Sequence, residues 1–139
     1  MTNESAGAKH GRAAARWPAG SEAILLVEDD EVLRVLFSAV LGQCGYEVSI
    51  AANGREALAA VHGRAGRFAL VVSDVTMPGM SGLDLARRLR AEGVAVPILL
   101  LSGHREADLA SVAGLAVAFA EKPVPPAALA RKVRELLDG

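Results

Sequence analysis

Residues 68–82, FALVVSDVTMPGMSG, decide the fold. They comprise an apolar run, a lone carboxylate at Asp74, and a loop whose proline and two glycines favour a defined, irregular backbone. An apolar run without alternation suits a strand covered on both faces, as in a parallel sheet. Here the run is Phe68 to Val72, and similar runs occur at Ala23 to Val27, Pro97 to Leu101 and Leu115 to Phe119. Tyr46, Val48 and Ile50 instead alternate with Glu47 and Ser49, the period-two pattern of a strand with one wetter face. That strand is expected at a sheet edge.

Between these runs lie helical patterns. Leu33, Leu36, Phe37, Val40 and Leu41 form an apolar stripe at helical spacing, with Gly42 and Gly45 placed to stop it. Further helices are expected from Arg55 to His62, Leu83 to Arg90, Arg105 to Ala113 and Pro126 to Leu137, the last opened by Pro125 and Pro126. Strand and helix alternate five times. The expected fold is therefore α/β, a doubly wound five-stranded parallel sheet with five helices and right-handed crossovers.

The length of 139 residues suits one domain. Residues 1–21 lack sustained periodicity and read as a flexible N-terminal arm or linker, leaving 22–139 as the domain. Trp17, the arm's one large apolar side chain, reads as a loosely packed linker residue or as a partner-docking one. A chain that is 52% apolar and 22% charged can build a sizeable core. The net charge of -1, from 15 basic and 16 acidic side chains, supplies no electrostatic footprint for nucleic acid or an anionic membrane. Cys44 is the only cysteine, which excludes an internal disulfide and a thiolate zinc site, suits a reducing compartment, and is expected as a small buried hydrophobe. No apolar run approaches the roughly 18 residues of a membrane span, and the N-terminus lacks an apolar signal core. The expectation is a cytoplasmic protein.

In a doubly wound sheet, ligands bind beyond the carboxyl ends of the strands. The strand ends carry Glu28, Asp29 and Asp30, then Ser73 and Asp74, then Ser102, then Lys122 and Pro123. Carboxylates in one crevice repel each other, so either their pKa values rise or a cation joins them. Oxygen donors without thiols or an imidazole cluster favour magnesium, and Asp29 and Asp74 are the expected direct ligands. Taken alone, Glu28-Asp29-Asp30 reads equally well as an acidic loop at a helix N-terminus, and Asp30 is expected to cap that helix. A carboxylate at Asp74 beside a metal can attack phosphorus and form an acyl phosphate. Lys122 offers a compact cation for phosphoryl oxygens and Ser102 a hydroxyl donor. Each has a plainer reading, a surface lysine before a turn and a serine at a strand end. Their joint placement at successive strand ends favours the chemical one.

The stretches ILLVEDDEVLR, VVSDVTMPGMSGLDL, ILLLSGH and AFAEKP stand in the order and spacing of response-regulator receiver domains, which the chain resembles over residues 22–138. The fold expected is thus flavodoxin-like, with strand order 2-1-3-4-5. The resemblance implies that Asp74 is the phosphoacceptor, that Asp29 binds Mg2+ directly, and that Glu28 acts through water. It further implies that the Thr76 carbonyl is a metal ligand, Ser102 the switch hydroxyl, Phe119 the switch aromatic and Lys122 the phosphate-sensing lysine, with a cis Lys122-Pro123 bond. The implied function is a two-component switch and not a conventional enzyme, one that catalyses only its own phosphorylation and dephosphorylation. The donor is a phosphohistidine on a histidine kinase or histidine phosphotransfer protein. The output surface is expected on the fourth helix, fifth strand and fifth helix, because Ser102 and Lys122 bracket that stretch, and homodimerisation on phosphorylation stays open.

Departures from the family pattern are visible. Twenty positions separate Ser102 from Lys122, slightly short, so the fourth helix or its loops are expected to be trimmed. Val124 stands where an aromatic is common, and His104, read as a solvated side chain, where acidic or small residues are frequent. The SGH sequence and trimmed segment are similar to receivers attached to hybrid histidine kinases. His62 and His10 have no base or metal partner in sequence and carry no assignment. Nothing follows the last helix, so the signal is expected to leave through protein contact, unless the chain is a piece of something larger. Two rivals stand beside the switch. A haloacid-dehalogenase-like phosphatase needs a second acid two residues after its nucleophile, where this chain has Thr76. A degenerate receiver that only scaffolds partners would not need Asp29, Asp74, Ser102 and Lys122 together.

Overall fold

The computed structural model describes residues 17–64 and 67–139. Five strands alternate with five helices: β1 (Ala23–Val27), α1 (Glu31–Gln43), β2 (Glu47–Ala51), α2 (Gly54–Arg64), β3 (Leu70–Asp74), α3 (Gly82–Ala91), β4 (Ile98–Ser102), α4 (Arg105–Ser111), β5 (Ala118–Glu121) and α5 (Pro126–Asp138). The sheet is parallel throughout, in the order β2-β1-β3-β4-β5. The expected topology and the edge position of the alternating strand are both found.

Side-chain alternation along the buried strands builds two cores. Leu25, Val27, Val71, Ile98 and Leu100 pack with Leu58 and Val61 of α2 and Leu85 and Leu89 of α3. Ile24, Leu26, Leu70, Val72, Leu99 and Leu101 pack on the other face with Phe37, Val40 and Leu41 of α1 and Leu129 and Val133 of α5. Each such side chain, once buried, contributes about 1.5–3 kcal/mol against exposure. Cys44 is buried in the second core, as expected.

Several boundaries differ from the sequence reading. The apolar stripe of α1 holds at Phe37, Val40 and Leu41, but Leu36 is 43% exposed and lies with Val32 and Val35 on an outer face. On β2 the inward pattern fails at Ile50, which is 56% exposed at the end of the edge strand. β3 begins at Leu70, and Phe68 ahead of it is buried in the first core. β4 begins at Ile98, because Pro97 has no N–H to give the ladder. The largest correction is β5, expected at Leu115 to Phe119 and found at Ala118–Glu121. Gly114 and Ala116 both take positive φ, 86° and 55°, which no strand tolerates.

Arg90 explains that irregular stretch. Its guanidinium donates to the carbonyls of Leu115 (2.8 Å) and Ala116 (3.0 Å) in the approach to β5, and to Val94 (2.9 Å) and Val96 (2.8 Å) in the approach to β4. One planar donor fork thus sets where two strands start, and with them where Ser102 and Lys122 end up. At the other end of the chain, residues 17–20, assigned by composition to the arm, rest on the domain. Trp17 packs against the second core, Gly20 N–H donates to the Cys44 carbonyl (3.0 Å), and Arg134 reaches the Ala19 carbonyl (3.1 Å). Residues 1–16, with the rest of that arm and His10, lie outside the described residues.

Replacing the Arg90 fork strands four backbone carbonyls. Arg90→Met is expected to cost roughly 2–4 kcal/mol in urea denaturation, and Arg90→Lys, a point charge, to recover less than half. An Arg90→Met protein as stable as the parent would remove Arg90 from this role.

Candidate functional site

The carboxyl ends of β1 and β3 are adjacent in the sheet, so their terminal acids meet. One oxygen each from Glu28, Asp29 and Asp74 lie within 4.8 Å of one another. Glu28 and Asp74 are buried and Asp29 is exposed. The local backbone fixes them. Glu28 N–H donates to the Ala51 carbonyl (3.0 Å), Arg34 holds the Glu28 carbonyl (2.8 Å), and Asp30 N–H donates to Glu28 Oε2 (3.1 Å). Asp30 itself turns away and caps α1, its Oδ1 accepting from Leu33 N–H at 3.0 Å, as expected.

Asp74 closes β3, and the loop behind it is tightly tied. Val75 N–H donates to the Leu101 carbonyl (3.0 Å), Ser73 Oγ to the Asp74 carbonyl (2.9 Å), and Gly82 N–H back to the Val75 carbonyl (2.8 Å). Gly82 sits so close that a Cβ there would strike the Asp74 carbonyl oxygen. Ser81 and Asp84 complete a capping box at the start of α3. Within the loop Val75 and Met77 are buried and Thr76 is exposed.

The last two strands bring the other groups. Lys122 Nζ forms an ion pair with Asp74 Oδ1, its side chain 33% exposed against 6% for the aspartate. Glu28 Oε1 is a buried acceptor without a hydrogen bond, whereas the partner of the buried Asp74 Oδ1 is the Lys122 ammonium. The Lys122-Pro123 peptide is cis, as expected. Lys122 N–H donates to the Ser102 carbonyl (2.8 Å), which ties the ends of β4 and β5 together. Ser102 is fully buried, and its hydroxyl accepts from His104 N–H (3.0 Å) and donates to the Asp108 carboxylate. Phe119 is half-buried against the α2–α3 core.

The structure therefore brings Glu28, Asp29, Asp74 and Lys122 into one cluster, with Ser102 one strand away and Thr76 at the loop surface. Asp108 and Gly82 were not singled out from sequence. Asp108 is one acid in a polar helix, and only the turn at Gly103 aims it at Ser102.

The donor set fits a divalent cation: three carboxylates, one of them with a buried oxygen that has no hydrogen-bond partner, and among the described residues no thiol or imidazole beside them. The cost of burying an acid here falls on Glu28. Burial pushes its carboxyl up to about 7, with the nearby charge of Asp74 adding to the effect and the Asp30 N–H opposing it.

Glu28 in the folded, metal-free protein thus holds its proton up to about pH 7, whereas an unfolded chain releases it near 4.5. The folded state binds more protons between those values, so this contribution is complete below about 4.5 and lost as pH rises toward 7. In chelator, urea denaturation should report a loss of about 2–3 kcal/mol from pH near 5 to pH near 7.5. Glu28→Gln should flatten that slope. An equally steep slope in the variant would assign it to another group.

Comparison with known proteins agrees with this geometry. A family model described as the response regulator receiver domain matches residues 24–134. The alkaline phosphatase synthesis transcriptional regulatory protein SphR of Synechococcus elongatus is 39% identical over 132 residues, covering 86% of this chain and 51% of that protein. The sensor kinase CckA of Brucella abortus is 37% identical over 121 residues, covering 86% of this chain and 13% of the kinase. The chain thus spans about half or less of these two relatives. The crystal structure of the receiver domain from the hybrid histidine kinase CckA superposes with a TM-score of 0.71 at 35% identity, over 83% of this chain and 98% of that one. With the strand order, the acid-bearing strand ends and the matched residues in agreement, the chain belongs to the response regulator receiver domain family.

Proposed function

We propose that the domain accepts a phosphoryl group on Asp74 from a partner's phosphohistidine and reports the event through its surface. The observation that carries this reading is the buried Asp74 carboxylate, paired with Lys122 at the point where Glu28 and Asp29 converge. Receiver domains as a class are phosphoacceptor switches of two-component systems, bind Mg2+ at an acidic pocket, and interact with histidine kinases or phosphotransfer proteins.

In the proposed step an Asp74 oxygen attacks phosphorus and the P–N bond to the donor imidazole breaks. The electron pair goes to that nitrogen, which takes a proton from solvent, and Asp74 is left as an acyl phosphate. Asp29 and Asp74 would hold Mg2+ directly, with the Thr76 carbonyl a further ligand and Glu28 acting through water. When bound, the ion neutralises charge developing on the transferred phosphoryl oxygens. Lys122, already beside Asp74, moves its ammonium onto a phosphoryl oxygen, and Ser102 donates its hydroxyl to another. Phosphorylation adds about −1.5 to −2 charge, and the half-buried Phe119 on β5 is the side chain placed to repack as Ser102 and Lys122 shift. The same residues serve autophosphorylation from small donors and the hydrolysis that resets the switch.

The surface of α4, β5 and α5 is the proposed output face toward a downstream protein, with homodimerisation one form it can take. The 37% identity to a sensor kinase and 39% identity to a transcriptional regulator are compatible with a receiver of either setting. Among the described residues no helix is long and apolar enough to cross a membrane, and the proposed location is the cytoplasm.

Incubation with acetyl phosphate and magnesium should add one labile phosphoryl mass to the intact chain. Asp74→Asn should abolish it with the fold intact, because the amide keeps the shape and lacks the anionic nucleophile. Undiminished labelling of folded Asp74→Asn would sink the assignment. Asp29→Ala should weaken magnesium binding about tenfold or more while raising metal-free stability, since one repelling charge is gone. Unchanged magnesium affinity in that variant would remove Asp29 from the site.

A further inference from the structure

The hydroxyl of Ser102 is occupied. It is fully buried at the end of β4, accepts the His104 N–H at 3.0 Å, and donates its hydrogen bond to the carboxylate of Asp108 in α4. A serine hydroxyl donates one hydrogen bond at a time. As long as the Ser102 hydroxyl donates to Asp108, it has no hydrogen bond to donate to a phosphoryl oxygen.

The attachments of α4 make this contact a latch. The helix has only seven residues, Arg105–Ser111. Its far end is fastened: Val112 is buried, and Arg87 of α3 donates to the Ser111 carbonyl (3.0 Å) and to the Ser111 hydroxyl. Beyond it, Arg90 pins the carbonyls of Leu115 and Ala116. Toward the site, among the described residues, Ser102 Oγ ties the helix to the sheet twice, accepting from the N–H of the N-cap residue His104 and donating to Asp108. Between the two lies Gly103, where an added Cβ would meet nothing.

We propose that Asp108 is a positioning residue that latches α4 to Ser102, and that phosphorylation exchanges this bond for one to the phosphoryl group and releases the near end of the helix. The inference rests on the reading of Asp74 as phosphoacceptor. The chemistry drives the exchange twice over. The phosphoryl oxygens compete for the Ser102 proton, and their charge repels the Asp108 carboxylate that has just lost its donor. The helix then pivots on its Arg87 and Val112 end. By linkage the effect runs both ways: a partner that lifts α4 frees Ser102 and strengthens phosphoryl binding by the same factor.

The test uses the whole chain with magnesium and beryllofluoride, a phosphoryl mimic, followed by backbone amide NMR. Asp108→Ala should bind beryllofluoride about tenfold more tightly than the parent, the scale of one hydrogen bond to a charged group. Asp108→Asn, which keeps an acceptor and the shape, should fall between and serves if the alanine variant does not fold. In a Ser102→Ala background the gain from Asp108→Ala should shrink to less than about twofold. In the parent, amides of residues 104–110 should shift on binding toward the positions they occupy in free Asp108→Ala. If the parent binds beryllofluoride but Asp108 variants bind no tighter, or the full gain survives without Ser102, the latch is overturned and the phosphoacceptor reading stands. If the parent shows no response beyond that of Asp74→Asn, the phosphoacceptor reading fails and the latch with it.

Discussion

Three carboxylates forced together at the ends of two adjacent parallel strands are the constraint on which the rest depends. Water would keep Glu28, Asp29 and Asp74 apart, yet the backbone holds oxygens of all three within 4.8 Å, with two of the side chains buried. Such a cluster costs stability unless protons or cations join it. Glu28 shows the first remedy in its raised pKa, and Lys122 supplies part of the second by pairing with Asp74. Neither gives Glu28 Oε1 a hydrogen-bond partner. The cluster therefore offers oxygen donors of the kind a divalent cation takes.

Everything around the cluster serves to keep it in place. Two cores clamp the sheet from opposite faces, so the strand ends form a rigid rim. The loop after Asp74 is closed by Gly82, which admits the Asp74 carbonyl at a distance no other residue would allow. Burial falls off toward β5, a four-residue edge strand whose approach is held by the Arg90 side chain. α4, the shortest helix, leans on the same edge. The deeply buried strands β1 and β3 end in the acids, and the less buried edge carries Asp108, Phe119 and Lys122. A switch needs that division, because a phosphoryl group offers only a few charge-assisted hydrogen bonds with which to move anything.

Much of this was legible in the sequence for a specific reason. Continuous apolar runs that end in acids mark buried parallel strands with chemistry at their tips, and that pattern located Asp29, Asp74, Ser102 and Lys122 without any contact information. What escaped depends on particular side-chain contacts and coverage that periodicity does not report. Arg90 looks like one more charge on an amphipathic helix, yet it sets the start of β5 and so shifted that strand from Leu115 to Ala118. Asp108 looks solvated in sequence, and only the Gly103 turn brings it to Ser102. Ile50 was expected inward by alternation, which cannot tell that the end of an edge strand is left uncovered. Trp17 looked like linker because composition does not register a contact with a core built from residues far along the chain.

The most direct test of the account is to locate the phosphoryl group chemically. After exposure to a phosphodonor with magnesium, the intact chain is reduced with borohydride, which converts an acyl phosphate of aspartate to homoserine, and the peptides are sequenced by mass spectrometry. The account predicts homoserine at position 74, absent when magnesium is chelated. Homoserine at another aspartate, or a stable phosphoryl group on serine or histidine with position 74 unmodified, would contradict it.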